Sequence, residues 1–186
     1  MQLVRLVKPA REWREAYLSF YEEWKKSQEP MVPWVISIEP YDFEGMLTFL
    51  SNQEHGIDLP GGWVKSSTYW LVNASEQVVG AVNIRHELNE HLFNAGGHIG
   101  YGIRPSARGN RYAVNMLALA LEKAKELGIT KALVVCDSEN IASRKTIIRN
   151  GGVPDKDYIE EDGKRVNRFW IELSHENEKE SNVRSL

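Results

Sequence analysis

The chain has 186 residues, enough for one sizeable hydrophobic core. Hydrophobic residues make up 42% and charged residues 26%, the balance of an ordinary globular protein. The formal net charge of −3 supplies no basic field that would draw the chain to nucleic acid or anionic lipid. A single cysteine, Cys136, excludes an internal disulfide and a metal cage built from cysteine alone. The opening MQLVRLVKPAREW soon turns charged, unlike a secretory signal, and no apolar run approaches the roughly 20 residues that cross a bilayer. A cytoplasmic location, with neither membrane nor nucleic acid as partner, is the expectation.

In chain order, Leu3 to Leu6 reads as a short first strand. From Ala10 to Lys26 the period becomes helical, with Trp13, Tyr17, Phe20, Tyr21 and Trp24 recurring on one face as a core stripe. Pro30 and Pro33 end that helix, and a second follows through Phe43, Met46, Leu47 and Leu50. His55 to Ser67 is a turn-rich connection long enough to be a functional loop. Thr68–Asn73 and Gln77–Arg85 read as an antiparallel pair. Gly97–Arg104 is a further strand whose Gly100 and Gly102 mark a bulge or a close backbone approach.

A helix from Tyr112 to Leu127 stops at Gly128, and Lys131–Cys136 is a short apolar strand. Asn140–Arg149 is helical, and Lys156–Glu160 with Arg165–Leu173 forms a hairpin. The fold class is therefore α/β with a mixed sheet: strand, two helices, three strands, helix, strand, helix, two strands. Helices do not alternate regularly with strands, so this is not a Rossmann pattern. Residues 1–173 read as one domain, with a polar, disordered tail over 174–186.

The informative stretch runs from Gly100 to Gly152. The glycine-marked strand leads into Arg108-Gly109-Asn110-Arg111-Tyr112-Ala113, which opens a helix. First-turn backbone N–H groups have no partner within a helix and form an anion site, and the two arginines add charge suited to a diphosphate. The same hexapeptide also fits an ordinary helix start with solvated arginines.

This region resembles the GNAT superfamily of acyl-CoA N-acyltransferases, whose pyrophosphate loop reads Gln/Arg-x-x-Gly-x-Gly/Ala. Arg108 and Ala113 occupy its first and last positions, while Arg111 replaces the middle glycine and would either crowd or grip the phosphates. A second family signature, Asn-x-x-Ala/Ser, occurs as Asn140-Ile141-Ala142-Ser143, in the right order after a helix and an apolar strand. Within the superfamily the chain is most similar to a bacterial group of acetyltransferases carrying HIGYxxRPS followed by NIASRK. The resemblance covers the second half well. The first half agrees in element order and around Trp63–Trp70.

The resemblance implies a GNAT-like fold in which acetyl-CoA lies between two splayed strands, its pantetheine paired to a strand edge. Tyr101 and Ile103 would supply that edge, with Gly100 or Gly102 as the bulge. Arg108, Gly109, Asn110, Arg111, Tyr112 and Ala113 would hold the pyrophosphate, and Asn140 and Ser143 would line the other arm. The implied reaction is direct attack of a neutral amine, from a small molecule or peptide, on the thioester, within a ternary complex. An alkyl ammonium near pKa 10 needs a base. His98, at the head of the glycine-marked strand, is the candidate, and a buried histidine bonded to backbone is the competing reading. Many family members place an acid tyrosine seven residues after the Asn of the second signature. Here that position is Ile147, leaving Tyr101, Tyr112 and Tyr158 as candidates.

Acceptor recognition would fall to the first half, with Trp34 and Trp63 either walling the pocket or packing in the core. His86 to His91 (HELNEH) places its histidines five apart, the wrong spacing for a zincin, so no metal site is expected. Cys136 reads as a small buried hydrophobe. A non-catalytic acyl-CoA-binding or sensor domain is the main alternative, favoured by Ile147 and Arg111. A nucleotide-binding module is disfavoured because no Gly-Lys-Ser/Thr loop is present. A homodimer is the assembly to expect.

Overall fold

The computed structural model describes residues 3–173, so the expected tail lies outside the described residues. Four strands, β1 (Val4–Val7), β2 (Ser66–Asn73), β3 (Val78–Arg85) and β4 (Ile99–Ile103), form an antiparallel sheet in chain order. A second sheet pairs β5 (Lys131–Asp137) with β8 (Arg165–Glu172), and the short strands β6 (Val153–Pro154) and β7 (Tyr158–Ile159) also pair with β8. The β7–β8 pairing is the hairpin expected from sequence; β6 has only two residues and no sequence signal of its own.

Helices α1 (Arg14–Ser27) and α2 (Phe43–His55) pack on one face of the first sheet, and α3 (Tyr112–Glu126) packs on the other. Helix α4 (Ile141–Arg149) follows β5. The aromatic stripe of α1 does what its period implies. Tyr17, Phe20, Tyr21 and Trp24 are buried, and the Tyr17 ring stacks on Trp70 of β2 at 4.1 Å between centroids. Burying an indole of roughly 150–250 Å² contributes about 4–6 kcal/mol of transfer free energy, which fixes α1 to the sheet. Helix α2 starts where the Asp42 carboxylate accepts the Gly45 N–H at 3.0 Å and stops at Gly56, whose φ is 74°.

The bulge implied for β4 lies elsewhere. The β3–β4 register runs unbroken from Gly80 opposite Ile103 to Ile84 opposite Ile99. The irregularity is between β2 and β3, where Leu71 faces Gly80 and Val72 faces Val78, leaving Val79 as an extra residue. Gly100 and Gly102 instead satisfy the other reading, close approach. A Cβ on Gly102 would sit 1.8 Å from the Val32 carbonyl oxygen, and one on Gly100 would sit 3.1 Å from Arg85 Nη1.

Gly102→Ala is expected to destabilise the protein by about 1–3 kcal/mol, because the Val32 backbone would have to move. Gly61→Ala, with nothing within 4 Å of the added carbon, is the control and should leave the denaturant midpoint within about 0.5 kcal/mol of wild type.

Candidate active site

The two sheets meet at one end and part at the other. Gly97, at φ 66°, brings the chain so close to β5 that a Cβ there would lie 2.7 Å from the Leu133 carbonyl oxygen. His98 donates its backbone N–H to that oxygen at 2.7 Å, and its Nδ1 accepts the Leu133 N–H at 2.9 Å. Beyond this clip β4 and β5 are not hydrogen-bonded to each other, and between them opens a cleft of about 880 Å³.

One edge of β4 is committed to β3 and the other is free. Arg85 donates its N–H to His98 and Arg104 donates to Val79, so by antiparallel alternation the even-numbered residues face β3. Tyr101 and Ile103 therefore turn their backbone groups toward the cleft. The Ile103 carbonyl accepts Arg108 Nε at 3.3 Å; the Tyr101 groups are open to an added strand.

Past β4 the chain reaches the loop before α3. Arg111 takes φ 59° and ψ 7°, the left-handed conformation that explains why a glycine belongs at this position in the family loop. The first helical bond runs from the Asn115 N–H to the Arg111 carbonyl, so the N–H groups of Tyr112, Ala113 and Val114 have no partner within the helix. All three residues line the cleft, together with Gly109 and Arg111. Lys145 and Arg149, one turn apart on α4, add positive charge to the same lining. Sequence reasoning passed over these two, although their i, i+4 spacing in IASRKTIIR placed them on one helix face.

Arg108 also lines the cleft, but its guanidinium is engaged away from the loop's N–H groups. It pairs with Glu29 at 2.7 Å and lies over the Trp24 ring at 5.1 Å. Asn110 is outside the lining and folds back to donate to the Ala107 and Arg108 carbonyls at 3.2 and 3.3 Å. On the opposite arm Asn140 caps α4, its Oδ1 accepting the Ser143 N–H at 3.0 Å. Ser143 Oγ lies 2.9 Å from the Tyr101 hydroxyl, bridging the arms inside the cleft. Burial pushes the Tyr101 hydroxyl up to about 12, so it stays protonated at neutral pH.

The structure gives His98 the competing role. It is 7% exposed, its Nδ1 is occupied by the Leu133 N–H, and it is absent from the cleft lining. Burial, with Arg85 as a second cause, brings its imidazole down to about 4, so it is neutral at physiological pH. Ile147 is fully buried in the core, and burial pushes the Cys136 thiol up to about 11, so it is no thiolate nucleophile at pH 7. Trp34 lines the cleft with Trp63 set edge-on against it at 4.9 Å, while Tyr158 stands outside. His86 bonds Ser67 Oγ at 2.8 Å.

The acetyltransferase (GNAT) domain profile matches residues 4–153 of this chain. The chain belongs to the GNAT acetyltransferase family. Acetyl transfer from acetyl-CoA to an amine is the chemistry of that family, and the cleft suits such a donor: a free strand edge, unpartnered helix N–H groups and a cationic margin. No curated protein sequence matches the chain.

Solved structures share the fold at low identity. Ribosomal-protein-S5-alanine acetyltransferase from Vibrio fischeri aligns with a TM-score of 0.66 at 12% identity, over 94% of this chain and 97% of that one. The microcin C7 self-immunity acetyltransferase MccE, in complex with acetyl-CoA and AMP, aligns at 0.63 and 16%, over 91% and 92%. Dodecameric spermidine N-acetyltransferase from Vibrio cholerae aligns at 0.60 and 18%, over 93% and 94%.

Between about pH 6.5 and 4 an unfolded chain protonates His98 while the folded one does not, so stability should fall as pH falls through that window. Thermal melts of His98→Asn, which keeps a side-chain acceptor, should show a shallower acid slope than wild type; parallel slopes would exclude His98 as a cause. Arg111→Gly should weaken acetyl-CoA binding roughly 10- to 100-fold, the worth of a charge-assisted hydrogen bond, and by calorimetry should exceed the effect of Arg108→Ala.

Proposed function

We propose that this chain binds acetyl-CoA between β4 and β5 and passes the acetyl group to an amine entering from the α1–α2 side. The free edge of β4 at Tyr101, leading to the unpartnered N–H groups that open α3, carries this reading. When bound, acetyl-CoA supplies the acetyl thioester. The chain's own residues do the rest. The Tyr101 backbone orients the donor, and Arg111, Lys145 and Arg149 counter its phosphate charge.

The faces of β4 divide the two substrates. Tyr101 reaches toward Ser143 on the α3–α4 side, whereas Gly100 and Gly102 face Pro33, Val32 and Trp24. That second face, with Trp34, is the acceptor wall. Tyr101 Oη is the protonated hydroxyl beside the slot; it donates a hydrogen bond to the departing sulfur, and any proton it passes on is returned through Ser143 Oγ from solvent, which also takes the ammonium's proton.

Proton removal from the ammonium falls to solvent. Of the two carboxylates in the lining, Glu29 is paired with Arg108 and Asp137 with Lys164 at 2.9 Å. The acceptors named for two structural neighbours, spermidine in one and a ribosomal-protein S5 alanine in another, suggest acceptor classes for a first screen. A second reading, an acyl-CoA-binding protein without turnover, is favoured by the buried Ile147 and by the pairing of both lining carboxylates.

Thiol release from acetyl-CoA, assayed against amino acids, polyamines, aminoglycosides and N-terminal peptides, separates the two. Turnover with an amine supports transfer; tight binding without release by any amine supports the second reading. Tyr101→Phe should lower kcat on the order of 10- to 100-fold while retaining acetyl-CoA affinity, the low end for an acid because a thiol of pKa about 8.5 leaves readily. The pH profile of kcat/KM should rise with the acceptor's own pKa and show no inflection near 6.5.

A further inference from the structure

The acceptor wall contains a cation that nothing in the donor reading uses. Arg85 ends β3, is partly buried, and lines the cleft. Its Nη1 donates to the Gly96 carbonyl at 3.2 Å, and among the described residues no carboxylate lies within 4 Å of it. The guanidinium rests over Gly100: a Cβ there would meet Nη1 at 3.1 Å and Nη2 at 3.4 Å. Gly100 directly precedes Tyr101, whose backbone borders the slot, and Pro33 closes the same spot at 3.3 Å. A charge set at the edge of an apolar wall without a counter-charge is costly unless a ligand supplies one.

The rest of the lining sharpens the point. Its carboxylates, Glu29 and Asp137, are each occupied by a basic partner, so among the described residues an acceptor rich in ammonium groups meets no free anion. Arg111 opens α3, and Lys145 and Arg149 lie on α4, the helix whose Ser143 meets the Tyr101 hydroxyl, whereas Arg85 stands on the α1–α2 side with Pro33. Burial brings its guanidinium down to about 10, which leaves it charged at neutral pH.

Resting on the acetyl-transfer reading, we infer that Arg85 is an anion anchor in the acceptor site, and that the acceptor is a small amine carrying a carboxylate or phosphate close to its amino group. A short amino acid or aminoalkyl phosphate fits this description; a polyamine does not.

The test begins with calorimetric titration of the full chain with acetyl-CoA. Thiol release is then measured for matched pairs: L-amino acids against their carboxamides, and phosphoethanolamine against ethanolamine. Wild type should favour the anionic member by about tenfold or more in kcat/KM, and the better of the two pairs identifies carboxylate or phosphate. Arg85→Gln should abolish that preference at unchanged acetyl-CoA affinity, and Arg85→Lys, which keeps the charge should the Gln variant fold poorly, should retain part of it.

Preference for uncharged or polycationic amines would overturn the proposal. So would equal loss by Arg85→Gln on both members of a pair, or acetyl-CoA binding with no anionic amine turned over. Failure to bind acetyl-CoA would instead overturn the cleft reading, and this inference with it.

Discussion

Everything about the cleft depends on one contact, the pair of hydrogen bonds between His98 and Leu133. It joins two sheets at a point, where a continuous ladder would have closed β4 against β5 along its length. Gly97 makes the contact possible, since a side chain there would strike the Leu133 carbonyl. A neutral imidazole makes it stable, because a protonated Nδ1 could no longer accept the Leu133 N–H. With the sheets held at one end and free at the other, Tyr101 keeps backbone groups that a packed interior would otherwise satisfy.

The cleft's electrostatics follow from how its charges are paired. The acids are neutralised within the protein, Glu29 by Arg108 and Asp137 by Lys164, while Arg111, Lys145, Arg149 and Arg85 have no carboxylate partner among the described residues. Glu23 adds a brace outside the lining: it pairs with Arg104 and accepts the Ser106 N–H at 2.7 Å, tying α1 to the loop that leads into α3. Arg111, Lys145 and Arg149 are exposed and attract anions from solvent, whereas Arg85 is partly buried and held by the Gly96 carbonyl, so it needs less rearrangement when a ligand arrives.

Element order and the helix stripes were legible because period and burial coincide: Tyr17, Phe20 and Trp24 repeat at helical spacing and are buried. The loop before α3 was legible through its motif, and the left-handed φ of Arg111 shows what that glycine position is for. What sequence could not give was direction. Arg108 stands at the family's position, yet its side chain turns to Glu29, a residue 79 positions away. His98 has the chemistry of a base, but its partner is a backbone amide 35 residues on. The glycines of β4 offered bulge or close approach, and only the position of Val32 distinguishes them.

The single extra residue in β3 has a consequence beyond local irregularity. Upstream of it Val78 faces the α1–α2 core and Val79 the α3 core; downstream Ala81 faces α1–α2 while Val82 and Ile84 face α3. Even and odd positions have exchanged faces. Arg85, an odd position, therefore emerges beside Pro33 and Gly100, whereas a strand of strict alternation would have carried it to the face of α3. One inserted residue, six positions before the strand's end, sets this guanidinium on the Pro33 face of the sheet rather than the α3 face.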